Sequence, residues 1–162
     1  MRSIASAAIA VAISLSATAP ASADIWTYFA FGGVPRPIRE SDVQSIEASA
    51  RLGSAEGQYR MGVLYQLGRG VPRDYAEAAR WFRHAADQGH GEAQYRLGDC
   101  YAIGRGVPQS LSKAYFWLNL SAARNVPAAA LYRDNISSSL SRSQIAAAQQ
   151  QSRLWQPRLL RL

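Results

Sequence analysis

Cysteine is nearly absent from this chain of 162 residues: Cys100 stands alone. No intramolecular disulfide can form, so packing has to supply the stability. Cys100 falls within an apolar helical run, where a thiol is an inert core group. Histidine is scarce too. His84 and His90 have no carboxylate or thiol at ligand spacing, so no metal and no cofactor is expected. Lysine occurs once, as Lys113, among 18 basic residues. The positive charge is therefore carried by arginine, which never loses it and makes planar two-point contacts with carboxylates and phosphates. Acids stop at Asp134, while Arg142, Arg153, Arg158 and Arg161 follow it. With a formal charge of +7, weak contact with an anionic surface is an expectation. No stretch after residue 24 approaches the roughly 20 apolar residues of a membrane helix, so no stable membrane span is expected there.

What is present is enough for one folded domain. The chain is 48% hydrophobic, with four Trp, eight Tyr and four Phe, and only 18% charged; disordered chains are poorer in apolar residues and richer in charge. The first 23 residues stand apart. Met1-Arg2 gives a positive start, residues 4–19 are apolar or small, and Ala21-Ser22-Ala23 is a small-x-small cleavage pattern. This predicts a signal peptide over 1–23 and an exported protein, periplasmic or secreted. Nucleic acid is then excluded as a partner.

The central feature is self-similarity at a spacing of 36 residues. Residues 55–90 and 91–126 align without gaps, pairing Tyr59 with Tyr95, Gly62 with Gly98, Tyr65 with Tyr101, Ala78 with Ala114 and Trp81 with Trp117. The run Gly-Arg-Gly-Val-Pro recurs intact at 68–72 and 104–108. Periods of this size mark stacked supersecondary units.

Each unit predicts two helices. The first covers about 55–67, where Gly62 costs helix propensity and so implies close approach of a neighbouring helix. Gly68 and Gly70 break it, and Pro72 prevents continuation. Asp74 is a good N-cap, with Glu77 placed to complete a capping box. The second helix, about 75–88, carries Ala78, Trp81, Phe82, Ala85 and Ala86 on one broad apolar face, which marks Trp81 and Trp117 as core residues. Gly104, Gly106 and Ala114 repeat the pattern in the next unit. The reading is an irregular arm over 24–40, an N-terminal capping helix over 41–53 started by Ser41, full units over 54–90 and 91–126, and C-terminal capping helices with a basic tail over 127–162. In the last segment Pro127 opens one helix and Ser141 or Ser143 another.

The signature Tyr59-x-x-Gly62-x-x-Tyr65-x-x-Gly68-x-Gly70-Val71, continued by Asp74, Ala78, Trp81, Ala85, Ala86 and Gly89, resembles the Sel-one-like repeat (SLR) family, the longer cousin of the tetratricopeptide repeat. The second copy departs from it at Ser110, Ser121 and Asn125. The resemblance implies an all-α fold, a short right-handed α/α solenoid, acting as a protein–protein scaffold. Bacterial members are often exported. By the same resemblance the partner-facing positions are Glu56, Tyr59, Val63 and Gln66 in one unit, and Glu92, Tyr95, Asp99 and Ala102 in the next. Tyrosine is a large, rigid contact at low entropic cost. Packing between helices is the competing role for Tyr59 and Tyr95.

Two chemical motifs weigh less. Ser110-x-x-Lys113 matches a nucleophile motif of penicillin-binding enzymes, but no Ser-Asp-Asn or Lys-Thr-Gly follows. The repeat also places Ser110 at the cap position of Asp74 and Lys113 at the surface position of Glu77. The paired Gly-Arg-Gly segments lack the longer phosphate-loop pattern; Arg69 and Arg105 are left as a small basic ridge. No catalytic set is readable. The expected function is an exported, non-catalytic scaffold that binds another envelope or secreted protein. The alternatives are an Arg-rich binder of cell-wall or anionic surfaces and, more distantly, a β-lactam or peptidoglycan hydrolase.

Overall fold

The computed structural model describes residues 38–158. The expected signal peptide and most of the expected arm lie outside the described residues. Among the described residues there are seven helices and no strand: α1 (Glu40–Arg51), α2 (Ala55–Leu67), α3 (Tyr75–Asp87), α4 (Gly91–Ile103), α5 (Leu111–Ala122), α6 (Pro127–Ser137) and α7 (Arg142–Leu154). Each helix from α1 to α5 packs on the one that follows it, so α2–α3 and α4–α5 form successive units of an all-α repeat stack. Helix α7 leaves this order and packs along α5.

The junctions between units keep the 36-residue register. Gly53, Gly89 and Asn125 all take positive φ, at 88°, 91° and 59°. A left-handed residue here turns the chain out of one helix and into the next unit. Glycine does so without a Cβ penalty, and asparagine is among the few other residues that tolerate it. The departure at Asn125 is therefore conservative in backbone terms. Gly68 and Gly104 close α2 and α4 in the same conformation.

Local capping decides the helix starts. The Asp74 carboxylate accepts the backbone N–H groups of Ala76 (2.8 Å) and Glu77 (3.0 Å). The Ser110 hydroxyl accepts that of Lys113 at 3.4 Å. Two expectations are corrected. Glu77 does not close a capping box, because its carboxylate pairs with Arg80 one turn on. Ser41 lies inside α1: the N-cap is Arg39, whose backbone N–H donates to the Asp42 carboxylate at 3.2 Å. At the far end Ser141 caps α7 through a full box with Gln144.

Close packing explains the helical glycines. A Cβ on Gly62 would sit 2.5 Å from the Phe82 ring, and one on Gly98 would sit 2.8 Å from Leu118 Cγ. Real interiors do not allow such distances, so these glycines let paired helices meet. Phe82 and Leu118 are fully buried (0% exposed), with Leu97 at 1%. Trp117 is buried at 3%. Trp81 is only half-buried, packing against the α1–α2 cluster of Val43, Ala50, Met61 and Leu64.

Each unit also carries a polar latch to the one before it. The Gln58 side chain donates to the Ala50 carbonyl (3.4 Å), and Gln94 donates to that of Ala86 (3.1 Å). These buried amides tie the first helix of a unit to the last turn of the preceding helix, adding a second donor to carbonyls that also accept the Gly53 and Gly89 N–H groups. Helix α7 is held to α5 by polar contacts too: Asn119 donates to the Ser152 hydroxyl (2.7 Å) and Gln149 to the Tyr115 hydroxyl (3.0 Å). Trp155 meets Trp117 edge-on at 6.4 Å.

Candidate partner-binding face

Of the helices that open each unit, α4 touches α6, and α2 reaches the start of α4 through the side chains of Glu56 and Tyr59. Tyr59 of α2 stacks on His90 at the start of α4, with centroids 4.8 Å apart and an interplanar angle of 21°. Tyr95 of α4 meets Tyr132 of α6 edge-on at 6.3 Å. The face they build contains most of the residues expected to meet a partner.

Glu56 is exposed and holds two partners. Arg60 Nε lies 2.5 Å from one carboxylate oxygen and His90 Nε2 lies 3.0 Å from the other. The His90 hydrogen bond chiefly holds the Glu56 carboxyl below the usual range; partial burial opposes this and Arg60 reinforces it. His90 also caps α4, since its Nδ1 accepts the Ala93 N–H at 3.1 Å. That acceptor role fixes the tautomer protonated on Nε2, which donates to Glu56. One imidazole thus joins two units by hydrogen bond, cap and ring stack. Sequence spacing could not reveal it, because Glu56 and His90 lie 34 residues apart.

The remaining expected positions divide. Val63 and Gln66 are half-buried and line a cavity of about 280 Å³ together with Tyr75 and Arg105. Glu92 is exposed; Tyr95 and Asp99 are half-buried. Tyr59 and Tyr95 pack between helices while part of each residue stays exposed. Burial of the Tyr132 hydroxyl, together with the charge and hydrogen bond of Asp99, pushes its pKa up. Ala102 is a correction. It is 6% exposed within the main core cluster and its carbonyl accepts from Gln109, so it offers a partner no surface.

The chemical motifs resolve as structural parts. Ser110 Oγ is a helix cap, and the Lys113 ammonium lies 5.4 Å from the centroid of the Tyr101 ring. Both residues border a cavity of about 450 Å³ between α5 and α7, floored by Phe116 and Trp117. Neither histidine is among the residues lining it. Cys100 is 2% exposed, and burial, reinforced by the nearby Asp99 charge, pushes its thiol up to about 11. That removes the thiolate needed for reactivity. Among the described residues no cluster of His, Cys, Asp and Glu is placed to hold a metal ion, and no helix is long and apolar enough to cross a membrane.

Stacked helix pairs joined at 36-residue intervals define an all-α repeat solenoid among the described residues. The chain carries two Sel1 repeats: residues 55–90 and 91–126 each match the Sel1 repeat, a module that typically serves as a non-catalytic protein–protein scaffold. Among solved structures, the fold is similar to that of c5321, a protective antigen of uropathogenic Escherichia coli displaying an SLR fold. The TM-score is 0.70 at 26% identity over 80% of this chain and 28% of that one. A Sel1 repeat protein from Oxalobacter formigenes aligns at TM-score 0.56 and 28% identity, over 64% of this chain and 42% of that one. Among characterised proteins, the Arabidopsis thaliana ERAD-associated E3 ubiquitin-protein ligase component HRD3A is 37% identical over 54 residues. The match covers 33% of this chain and 8% of that protein.

Proposed function

We propose that the chain is an exported scaffold of the bacterial cell envelope that holds a peptide or helix of another envelope or secreted protein on the α2/α4/α6 face. The observation that carries this reading is the half-open row of Tyr59, Val63, Gln66, Tyr95 and Asp99, fixed in register by the unit junctions. A row of rigid aromatic and amide groups on a preorganised surface binds with little ordering cost. The export part rests on the composition of residues 1–23, a charged start, an apolar stretch and a small-residue cleavage pattern.

The test is capture of partners from envelope extract by the purified protein, at low and high salt, beside a Tyr59→Ala/Tyr95→Ala variant of unchanged helicity. A discrete protein retained at high salt and lost with the variant supports the reading. Equal capture by both proteins counts against it. N-terminal sequencing of the exported product tests cleavage after Ala23.

A second reading, a binder of anionic cell-wall polymers, is favoured by one observation. Arg142, Arg153 and Arg158 are exposed along and beyond α7, and none pairs with a described acid. That reading requires binding that collapses with salt.

A further inference from the structure

The cavity beside Val63 and Gln66 has a charge pattern that the repeat does not explain. Three guanidinium groups border it: Arg73 before α3, Arg96 on α4 and Arg105 in the loop after α4. Arg73 and Arg105 both lie against the Tyr75 ring, at 5.7 and 5.2 Å from its centroid. No described carboxylate lies within ion-pair distance of any of the three, although Arg51, Arg60, Arg80 and Arg133 each have an acidic partner.

Arg96 is the most informative. In the preceding unit the equivalent Arg60 pairs with Glu56 four residues earlier. Arg96 has Glu92 at the same spacing but does not pair with it; it borders the cavity and lies 5.9 Å from the Tyr95 ring centroid. Its Nε is buried and lacks a hydrogen-bond partner. A buried donor left unmade is costly, which sets this guanidinium apart from the paired Arg60. The other nearby acid, Asp99, engages the Tyr132 hydroxyl.

The cluster is also not a repeat-wide device. Moving 36 residues on, the positions of Arg73, Arg96 and Arg105 hold Gln109, Tyr132 and Ser141. Moving 36 residues back, they hold Pro37, Arg60 and Arg69, with Arg60 already paired. Among the described residues, the junction between the two full units gathers three arginines without an acidic partner at these repeat positions.

We infer that this junction is a carboxylate-binding pocket for an acidic peptide segment of the partner. Guanidinium groups match carboxylates by paired N–H donors, and the match is stronger where water is partly excluded. The remaining lining is aliphatic and amide: Val63, half-exposed Leu67 and Gln66. That wall suits an aliphatic side chain and a peptide group next to the acid, which is why a peptide is favoured over an inorganic anion or a lipid headgroup. The pocket deepens the scaffold reading and rests on it.

The test is fluorescence polarisation of a labelled acidic–aliphatic hexapeptide (Leu-Asp-Glu-Val-Glu-Leu) with the purified protein. Its amidated counterpart, in which Asn and Gln replace Asp and Glu, and phosphatidylglycerol vesicles serve as comparison probes. Arg96→Gln/Arg105→Gln should weaken the acidic peptide at least about tenfold. Arg142→Gln/Arg153→Gln, the same loss of charge elsewhere, should change it less than about twofold. Arg105→Gln alone, in an exposed loop, guards against a folding artefact and should lie between them.

Equal weakening by both double variants, tight binding of the amidated peptide, or binding of vesicles but not peptide would each overturn the pocket. The partner capture described above separates the two levels. If Arg96→Gln/Arg105→Gln still captures the partner while Tyr59→Ala/Tyr95→Ala does not, the pocket falls and the scaffold stands. If neither variant loses it, both fall.

Discussion

The two Sel1 repeats share a register but not an environment. The latch glutamines show the difference most clearly. Gln58 in the first repeat is completed by Gln88, whose amide donates to Gln58 Oε1 (2.7 Å) and to the Gly53 carbonyl (2.9 Å). In the second repeat the position of Gln88 is Arg124, which instead donates to the Leu120 carbonyl and lies over the Trp155 ring at 5.0 Å. Burial there lowers the Arg124 pKa. Gln94 Oε1 is left buried without a partner. The second repeat thus gives up one internal hydrogen bond for contact with the C-terminal segment. The tryptophans follow the same logic: Trp117 is covered by Arg83 at 5.2 Å and by Trp155, while Trp81 has only His84 at its edge and the α1 side beneath it. Internal repeats keep the positions that set helix pairing and adapt those that meet an end of the stack.

Truncating the paired tryptophans should break the comparison most visibly. Trp117→Ala should cost about 3–5 kcal/mol in urea denaturation. Trp81→Ala, at a half-buried site, should cost about 2 kcal/mol or less. Equal losses would mean that the C-terminal helices contribute nothing particular to the second repeat. Next come the close-approach glycines. Gly62→Ala forces a methyl group onto the rigid Phe82 ring and should cost about 2–3 kcal/mol, and Gly98→Ala against Leu118 should cost about 1 kcal/mol, both read as loss of thermal stability.

The latches sharpen the comparison further. Gln88→Ala strands Gln58 Oε1 and the Gly53 carbonyl and should cost about 1–2 kcal/mol. Arg124→Ala should leave the already orphaned Gln94 unchanged, so its cost reports the Leu120 carbonyl bond and the Trp155 contact, and a double-mutant cycle with Trp155→Ala separates the two.

The smallest effect belongs to Glu56. Its carboxyl is held low in the folded protein, so between that value and the ordinary carboxylate range the unfolded chain takes up a proton that the folded chain does not. Stability from this group is complete above the ordinary range and falls as pH drops through the lowered value. Because the side chain is 53% exposed, the loss should stay below about 1 kcal/mol. Glu56→Gln should flatten that part of the pH–stability curve.

Much of the stack was legible in the sequence. The bounds of α2 to α5 follow from Gly68, Asp74, Gly89, Gly104 and Ser110, because caps and left-handed positions act locally and recur every 36 residues. The start of α1 was misread because the Asp42 carboxylate reaches back to the Arg39 N–H and the helix begins at Glu40, before Ser41. The docking of α7 on α5 was not legible: Asn119–Ser152 and Gln149–Tyr115 join residues more than 30 apart with no repeated pattern. The candidate face was legible at Tyr59 and Tyr95, which the period singles out. Ala102 was misplaced because an alanine in this pattern fits core and surface equally well. The arginine pocket was missed because only Arg105 belongs to the repeated run, although the unmet spacing of Glu92 and Arg96 was a signal that could be read only once Glu56 and Arg60 were seen to pair.

The central claim is that the α2/α4/α6 face holds a protein partner. It is tested most directly by placing a photo-crosslinking residue at Val63 and, separately, at exposed Gln150 on α7, then irradiating intact cells. A discrete adduct from position 63 and none from position 150 is the expected result. Adducts from position 150 alone, or the same adducts from both, would contradict it.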